Sequence, residues 1–427
     1  MSADTLDQTA REAITSACAD VQDATDGDHV DTVVPRLVAR PSDVTQVAEV
    51  LRAATAHRLS VVPRGRGTKL SWGAPPTSAD VLLDVSALDD VIDHAAGDLI
   101  VAAQAGATLA GVQQAVGSAG QRLALDETVP GASIGGLLAV NASGPRRVAI
   151  GSARDLLIGI TVVRADGVVA KAGGRVVKNV AGYDLGKLMI GSFGTLAVIV
   201  DATFRLHPLP AARTWVSAPA SSPAHAQRLV QSVLHAQVVP AAIEVEWGAD
   251  PGPATDTATG VVSVLLEGRE DGVAGRVATV RALLGGEVTE SAIDQPAGGA
   301  TYPWDVTAAG DERATAFKLT FALSGLAEVL QAASETGVTL RGSAGAGVAY
   351  AALAAGTPVE TASTALDRLR RTCTAHRGSA VVVDAPTDVK SALDVWGPVP
   401  ALDLMSRVKD QFDPDHRLAP GRFVGGL

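Results

Sequence analysis

The fold is most readily inferred from the stretch SVVPRGRGTKLSWG (residues 60–73), in which a short β-strand runs into a glycine-rich turn. Gly65 and Gly67 allow positive φ, so that successive backbone N–H groups can converge on an anion. Hydroxyl donors and positive charges accompany them, from Thr68, Ser71, Arg64 and Arg66. The residues alone leave two interpretations open: an anion-binding loop and a tight surface turn.

The segments around this turn alternate between helix and strand patterns. Residues 41–59 begin with a cap at Ser42 or Asp43 and continue with an apolar stripe, which predicts a helix. A second helix is predicted over 108–120. Strands are predicted over 81–85, 91–95 and 99–104. Residues 157–173 predict a hairpin that turns at Asp166-Gly167.

A second glycine-rich segment, ETVPGASIGGLLAVNASGPRR, covers residues 127–147. It contains a GxSxG match, Gly131 to Gly135, but two acids and a proline precede it where a nucleophile elbow needs a buried strand. We therefore interpret it as a turn whose backbone packs against a flat ligand, and not as a hydrolase site. Asn141, Ser143 and Gly144 form a third turn of small residues.

The third segment, residues 173–208, contains Gly191, Gly194 and the small Ala197, which allow close backbone approach. In its GYDL motif we favour a structural role, with Tyr183 packing and Asp184 capping a short helix. Three such turns in order suit an extended dinucleotide, since a pyrophosphate needs converging N–H groups and a flavin ring needs small neighbours.

After residue 210 the pattern changes to strands near 242–247, 260–267, 316–322, 338–342, 347–354 and 379–384. Helices are predicted near 270–284, 324–336 and 359–376. This order predicts an α+β domain, an antiparallel sheet with helices on one face. Residues 387–400 are predicted to be a return linker, followed by a last helix over 402–412.

Composition excludes several classes of function. The chain has 427 residues, with 35 Lys and Arg against 46 Asp and Glu, a net charge of −11, and 3% aromatic residues. An acidic chain with few aromatics is a poor nucleic-acid binder. Cys18 and Cys373 cannot build a disulfide framework, a four-thiolate zinc site or an iron–sulfur cluster. Marks of a Rossmann site, a P-loop, a zincin, a secretory signal or a transmembrane segment are absent from the sequence.

With these segments the chain resembles flavoproteins of the vanillyl-alcohol oxidase/PCMH type, and within them the FAD-binding subunit of glycolate oxidase. The matching segments are PRGRGTKLSWG, PGASIGG with NASGPRR and GSARDLLIG, VVKNVAGYDLGKLMIGSFGTLAVI, and the C-terminal DPDHRLAPGRF. They lie within 33–209 and 402–427. The resemblance implies an α+β fold: a PCMH-type FAD-binding domain of two subdomains, and an α+β cap domain with an antiparallel sheet.

The resemblance also implies which residues bind FAD. The pyrophosphate would be held by Pro63, Arg64, Gly65, Arg66, Gly67 and Thr68, with Ser71 nearby. The isoalloxazine and ribityl region would be lined by Pro130, Gly131, Ser133, Ile134, Gly135 and Gly136. Further flavin and adenine contacts would come from Asn141, Ser143, Gly144, Gly151 and Asp155. The closing strand would contribute Gly194, Thr195, Val198 and Ile199. A His in the first turn, through which some relatives attach flavin covalently, is replaced by Thr68, so FAD is expected to be non-covalent.

Three departures from the family pattern stand out. Arg66 occupies a place where the family often has glycine, so either the turn differs or the arginine contributes charge. Ala419-Pro420-Gly421 stands where relatives have Asn-Pro-Gly. The metal-binding HxGDGNxH cluster of hydroxy-acid-oxidising relatives is missing. The cap has only the scattered His225, His235 and His376, and no metal site or catalytic base is assigned.

We therefore expect an FAD-binding subunit of a glycolate oxidase-type 2-hydroxy-acid dehydrogenase complex, with a larger flavin subunit and an iron–sulfur subunit as partners. It would be cytoplasmic, or peripheral at the membrane through those partners. The alternatives are a stand-alone FAD oxidoreductase with a substrate site in the cap, and a structural subunit with a vestigial flavin site. The expected domains are an N-terminal helical segment 1–32, the FAD-binding domain 33–210, the cap 211–400 and a returning C-terminal segment 401–427.

Overall fold

The computed structural model describes residues 6–175, 184–248, 260–292 and 302–427. The described residues form two compact units. The first comprises those within Met1–Ala142, Ser152–Pro208 and Pro398–Leu427, and the second those within Ser143–Gly151 and Leu209–Gly397. The N-terminal and C-terminal segments thus both belong to the first unit.

The helices, in chain order, are α1 Gln8–Ala17, α2 Val44–Ala56, α3 Leu109–Gly117, α4 Ile134–Val140, α5 Arg147–Ile150, α6 Ala153–Leu156, α7 Gly186–Met189, α8 Pro223–Leu234, α9 Glu270–Leu284, α10 Leu326–Thr336, α11 Val359–Ala375, α12 Thr387–Ala392 and α13 Leu402–Phe412. The strands of the first unit are β1 Val21–Asp23, β2 Leu37–Ala39, β3 Val61–Arg64, β4 Val81–Asp84, β5 Val91–Ala95, β6 Ile100–Gln104, β7 Gln121–Arg122, β8 Leu157–Val163, β9 Val169–Gly173, β10 Val198–Arg205 and β11 His207–Pro208. Those of the second unit are β12 Ala212–Ala220, β13 Ala242–Trp247, β14 Gly260–Gly268, β15 Thr289–Ser291, β16 Thr315–Thr320, β17 Thr339–Ser343, β18 Val348–Leu353 and β19 Ser379–Asp384.

A small sheet in the order β1-β2-β4-β3 opens the first unit, and β4 runs parallel to both β2 and β3. Helix α2 begins where predicted, because the Asp43 side chain accepts a hydrogen bond from the backbone N–H of Gln46 at 2.9 Å. Apolar residues of α1 and α2, Ile14 and Leu51 among them, pack with the strands into one core. This packing fixes the position of β3, and the glycine-rich loop begins at its end.

The second sheet of this unit is antiparallel, in the order β5-β6-β10-β8-β9. The predicted hairpin is confirmed, since β8 pairs with β9 and Gly167 turns with φ +75°. Helix α4 packs on β10 and β6 of this sheet. The C-terminal segment closes the unit, because the backbone of Val61 on β3 bonds to Arg417 and Ala419, each at 2.8 Å.

The second unit repeats one pattern twice. Its described strands form an eight-stranded antiparallel sheet in the order β15-β12-β14-β13-β17-β18-β16-β19. Each half runs strand–helix–strand–strand–helix–strand, and the halves meet where β13 pairs with β17. The four helices α8 to α11 bury their apolar stripes in one core with one face of the sheet. The expected α+β architecture is confirmed.

Three sequence-based predictions need correction. In the first half of this repeat, elements were predicted only from residue 242 onward, so β12 and α8 were missed. A signal for α8 was present in the sequence, because Ser222 caps this helix by accepting from the N–H of His225. Residues 387–400 are not all linker, because they contain α12. Asp184 does not cap α7 with its side chain: the cap position is Leu185, and Asp184 offers its backbone carbonyl to Lys187. Tyr183 lies outside the described residues.

Candidate functional site

A cleft of about 450 Å³ lies in the first unit, between the end of β3 and helix α4. Its described lining combines a glycine-rich loop, one face of α4 and one residue from the C-terminal segment. The lining residues are Pro63, Arg64, Gly65, Gly67, Thr68, Lys69, Leu70, Ser133, Gly136, Ala139, Val140, Phe193 and Arg422. This list contains three cationic side chains and no carboxylate, histidine or cysteine. The cleft is therefore built for an anionic ligand.

The two glycines of the loop are required for different reasons. Gly67 has φ +75°, a conformation that side chains rarely adopt, whereas Gly65 is not in the left-handed region. A Cβ at Gly65 would lie 2.3 Å from the Ser133 hydroxyl oxygen, so this glycine lets the loop approach the start of α4. The expectation of positive φ at both positions is thus wrong for Gly65.

The two arginines of the loop do not supply free positive charge to the cleft. The Arg64 guanidinium pairs with Asp28 at 2.9 Å and with Asp84 at 2.8 Å. Although burial opposes it, hydrogen bonding from Thr25 and pairing with Arg64 lower the pKa of Asp28 to about 2. Arg66 lies outside the cleft lining and pairs with Asp89 at 3.0 Å. It also has an ordinary negative φ, so the turn differs from a three-glycine loop.

Lys69 and Arg422 line the cleft although the sequence did not single them out. Lys69 is 6% exposed, and its ammonium donates to the Thr68 hydroxyl at 3.1 Å. Burial lowers the pKa of Lys69 to about 8, and the charge of Glu127 opposes that shift. Arg422 donates to the carbonyls of Leu70 and Trp72, each at 2.7 Å, and so ties the C-terminal segment to the loop. A lysine directly after the glycine-rich loop was the available signal.

The predicted ring-side residues cluster at the start of α4. The Ser133 hydroxyl caps this helix by accepting from the Gly136 N–H at 3.3 Å, which accounts for the GxSxG match without a nucleophile. Ile134 is fully buried, and a Cβ at Gly135 would lie 2.9 Å from the Cβ of Ala105. Ile134 and Gly135 therefore pack the helix against the sheet, and neither lines the cleft.

The end of α4 carries a polar atom that lacks a partner among the described residues. Asn141 follows the cleft residues Ala139 and Val140 with φ +50°, and its side-chain oxygen is buried and unbonded. Each unbonded buried acceptor costs about 1–3 kcal/mol unless a ligand or water satisfies it. The backbone of Phe193 bonds to Ala139 at 2.8 Å and holds the next loop against this end of the helix.

The remaining predicted positions have structural roles or lie outside the cleft. In the first unit, a Cβ at Gly194 would touch Pro63 at 3.4 Å, and the Asp155 carboxylate accepts from the N–H of Ser152, the cap residue of α6, at 2.8 Å. Val198 and Ile199 are buried in β10, and the buried Thr195 donates its hydroxyl to the carbonyl of Ser192. Positions in surface turns are Ser71, Pro130 and Gly131. Ser143, Gly144 and Gly151 belong to the second unit.

The second unit shows no group of three metal-ligating side chains among its described residues. His225 and His235 lie at α8, and His376 ends α11 near Glu328 at 3.9 Å. Two buried arginines of this unit are paired: Arg313 with Asp384 at 2.9 Å and Arg341 with Glu246 at 2.6 Å. Burial raises the pKa of the Cys373 thiol to about 12, so this thiol is unreactive.

The cleft of the first unit fits FAD by the chemistry of its lining. A loop of small residues with the buried Lys69 suits a diphosphate, and the apolar side chains of Ala139, Val140 and Phe193 suit a flat ring. The unbonded oxygen of Asn141 offers an acceptor to ring N–H groups. A Cβ at Gly65 would fill part of the space between the loop and α4.

Comparison with known proteins points to the same ligand. The family described as FAD binding domain matches residues 35–173. Glycolate oxidase subunit GlcD of Bacillus subtilis is 31% identical over 212 residues, which are 49% of this chain and 45% of that protein. D-2-hydroxyglutarate dehydrogenase of Xanthomonas citri pv. viticola is 38% identical over 177 residues, 41% of this chain and 38% of that protein. Glycolate oxidase subunit GlcE of Escherichia coli is 31% identical over 253 residues, 58% of this chain and 66% of that protein.

The chain thus spans about half or less of the length of the first two relatives. Among solved structures, p-cresol methylhydroxylase with substrate bound matches with a TM-score of 0.73 at 15% identity, over 97% of this chain and 96% of that chain. At this identity the likeness concerns the fold alone. The chain thus has the fold of PCMH-type flavoproteins, its residues 35–173 match an FAD binding domain, and FAD is its cofactor.

Proposed function

We propose that this chain is the FAD-binding subunit of a glycolate oxidase-type 2-hydroxy-acid dehydrogenase complex. The observation that carries the proposal is the cleft of the first unit. Its described lining has three cationic side chains and no carboxylate, which suits the diphosphate of FAD. FAD supplies the hydride acceptor of such a reaction, and this chain's residues bind and orient it.

The partners belong to the same proposal. A larger flavin subunit would oxidise the acid, and an iron–sulfur subunit would receive the electrons. The share of GlcE that aligns with this chain, 66%, exceeds the share of GlcD, 45%, which supports the smaller-subunit assignment. Of the helices in the described residues, none combines the length and apolarity that a membrane crossing needs. We propose a cytoplasmic location, peripheral at the membrane through the partners.

The stand-alone oxidoreductase is the second candidate, and a cleft of about 770 Å³ in the second unit bears on it. Its described lining includes Trp304, Asp305 and Glu312 and contains no lysine or arginine. Two carboxylates would repel a hydroxy-acid anion, so this cleft does not favour an acid substrate. Co-purification distinguishes the candidates, since a stand-alone enzyme needs no partner for activity.

We expect the isolated chain to bind FAD and to be inert toward glycolate and lactate. Turnover needs a cation or metal on the substrate carboxylate and a base for its hydroxyl proton, and the described residues of the second unit include no group of three metal-ligating side chains. The test is anaerobic addition of each acid while flavin absorbance is recorded. A colourless protein would indicate the vestigial alternative. Flavin bleaching that disappears on chelation and returns with metal would place the active site in this chain.

We also expect the flavin to be held without a covalent bond. The described lining of the cleft contains no histidine, cysteine or tyrosine that could attach it, and Thr68 occupies the first-turn position. Acid precipitation of the yellow protein should therefore release all flavin absorbance into the supernatant. Colour or fluorescence that stays with the denatured chain would contradict a non-covalent cofactor.

A further inference from the structure

We infer that Lys69 is the cation that neutralises the diphosphate of FAD, an inference that rests on the proposed function as a flavoprotein. Lys69 directly follows the glycine-rich loop and is 94% buried in the cleft wall, with 6% of its surface exposed. Its ammonium has one hydrogen-bond partner, the Thr68 hydroxyl. In the described part of the chain, no carboxylate lies within ion-pair distance of it.

The other cations around the cleft are already engaged. Arg64 is shared between Asp28 and Asp84, and Arg66 points to Asp89. The guanidinium of Arg422 donates to two backbone carbonyls of the loop. Lys69, whose ammonium has the Thr68 hydroxyl as its single hydrogen-bond partner in the described part of the chain, is therefore the cleft cation with the most donor capacity left for a ligand.

An uncompensated buried ammonium is costly, because it loses hydration without gaining a counter-charge. The pKa of Lys69, lowered by burial to about 8, is consistent with that cost. Of the charged groups nearby, Glu127 on the loop before α4 acts on the Lys69 ammonium, and Arg64 on β3 and Arg422 line the same cleft. Glu127 is exposed and accepts from the Gly131 N–H, so it is not a close partner. A bound diphosphate would supply the missing negative charge.

This arrangement makes cofactor binding depend on pH. Below about pH 8 the ammonium is protonated in the free protein, and FAD binding needs no proton uptake. Above that pH the free lysine is neutral, whereas the diphosphate favours the charged form and raises the lysine pKa in the complex. Binding then takes up a proton, so the affinity falls by up to about tenfold per pH unit.

The experiment titrates apo protein with FAD and with riboflavin, which lacks the diphosphate, and follows flavin fluorescence. Lys69→Met should weaken FAD binding roughly tenfold to a hundredfold at pH 7 and leave riboflavin binding unchanged. Lys171→Met is the matched control, because it removes an exposed lysine from the same unit. Lys69→Arg should retain FAD binding and remove the loss above pH 8.

The outcomes separate the hypotheses. Equal FAD affinity of Lys69→Met and wild type, or an equal loss of riboflavin binding, would overturn the role of Lys69 while the flavoprotein assignment stands. A wild-type chain that binds no FAD would overturn both. Misfolding is checked on apo protein, where Lys69→Met should have an unchanged or higher melting temperature, because it removes an uncompensated buried charge.

Discussion

Replacing Gly65 by valine is expected to abolish FAD binding by an otherwise folded chain. The new Cβ would lie 2.3 Å from the hydroxyl oxygen and 3.2 Å from the Cβ of Ser133. The loop must therefore move away from α4, which opens the cleft on the side where both elements contribute lining residues. If the Ser133 side chain rotates away instead, α4 loses its cap, at a cost of about 1 kcal/mol. Flavin absorbance per chain after gel filtration measures the result.

Two further variants test the steric explanation. Gly97→Val introduces the same side chain at an exposed glycine of this unit with no atom within 4 Å of its Cβ, and it should leave FAD content unchanged. Gly65→Ala combined with Ser133→Ala removes the clashing oxygen. It should therefore bind more FAD than Gly65→Ala alone. If Gly65→Val retained full flavin content, the loop would not form the cofactor site.

At Gly67, the effect of a substitution on FAD binding should depend on the backbone conformation and not on the room for a side chain. Its φ is +75°, yet the nearest atom to an added Cβ is the Arg64 Cδ at an ordinary 3.7 Å. Asparagine tolerates left-handed backbone far better than valine does. We therefore expect Gly67→Asn to bind FAD and Gly67→Val to lose it, whereas both substitutions at Gly65 should fail.

Local patterns predicted much of this fold, because each depends on neighbouring residues. The cap at Asp43, the turn at Gly167 and the helix Leu402–Phe412 all lie where the sequence indicates. Strand β12 of the second unit was missed because Arg213 and Pro219 interrupt its apolar residues. The twofold repetition of the unit is a property of strand pairing, which no single segment encodes.

The candidate site was less predictable, because partners distant in sequence decide the role of each charge. Arg64 and Arg66 suggested a cationic loop, but Asp28, Asp84 and Asp89 neutralise them. Lys69 differs from these two arginines in its surroundings, because its ammonium contacts the Thr68 hydroxyl and not a carboxylate. The motif likewise placed Ile134 at the flavin, and packing places it in the core. The type and spacing of residues in the sequence therefore locate the loop. Which of its side chains can bind the cofactor depends on their burial and ion pairs, which only the structure gives.

Replacing Lys409 by methionine is expected to destabilise the first unit severely. This lysine is 1% exposed, and its ammonium donates to Asp413 at 2.6 Å and to the carbonyls of Thr195 at 2.7 Å and Leu418 at 3.0 Å. Methionine would leave the fully buried Asp413 without a cation. Breaking a buried pair in this way costs about 3–5 kcal/mol, a drop of roughly 6–20 °C in melting temperature.

The same lysine connects the last helix to the cleft, since Thr195 follows the loop of Phe193 that lines it. The loss of stability in Lys409→Met should therefore be accompanied by weaker FAD binding. Arg407→Met, on the exposed face of the same helix, should change the free energy of unfolding by less than about 0.5 kcal/mol. Adding Asp413→Asn to Lys409→Met should recover part of the loss, because no charge then remains buried and the amide oxygen can still accept from the Leu418 N–H. Strictly additive losses in thermal unfolding would show that the two side chains do not act as a pair.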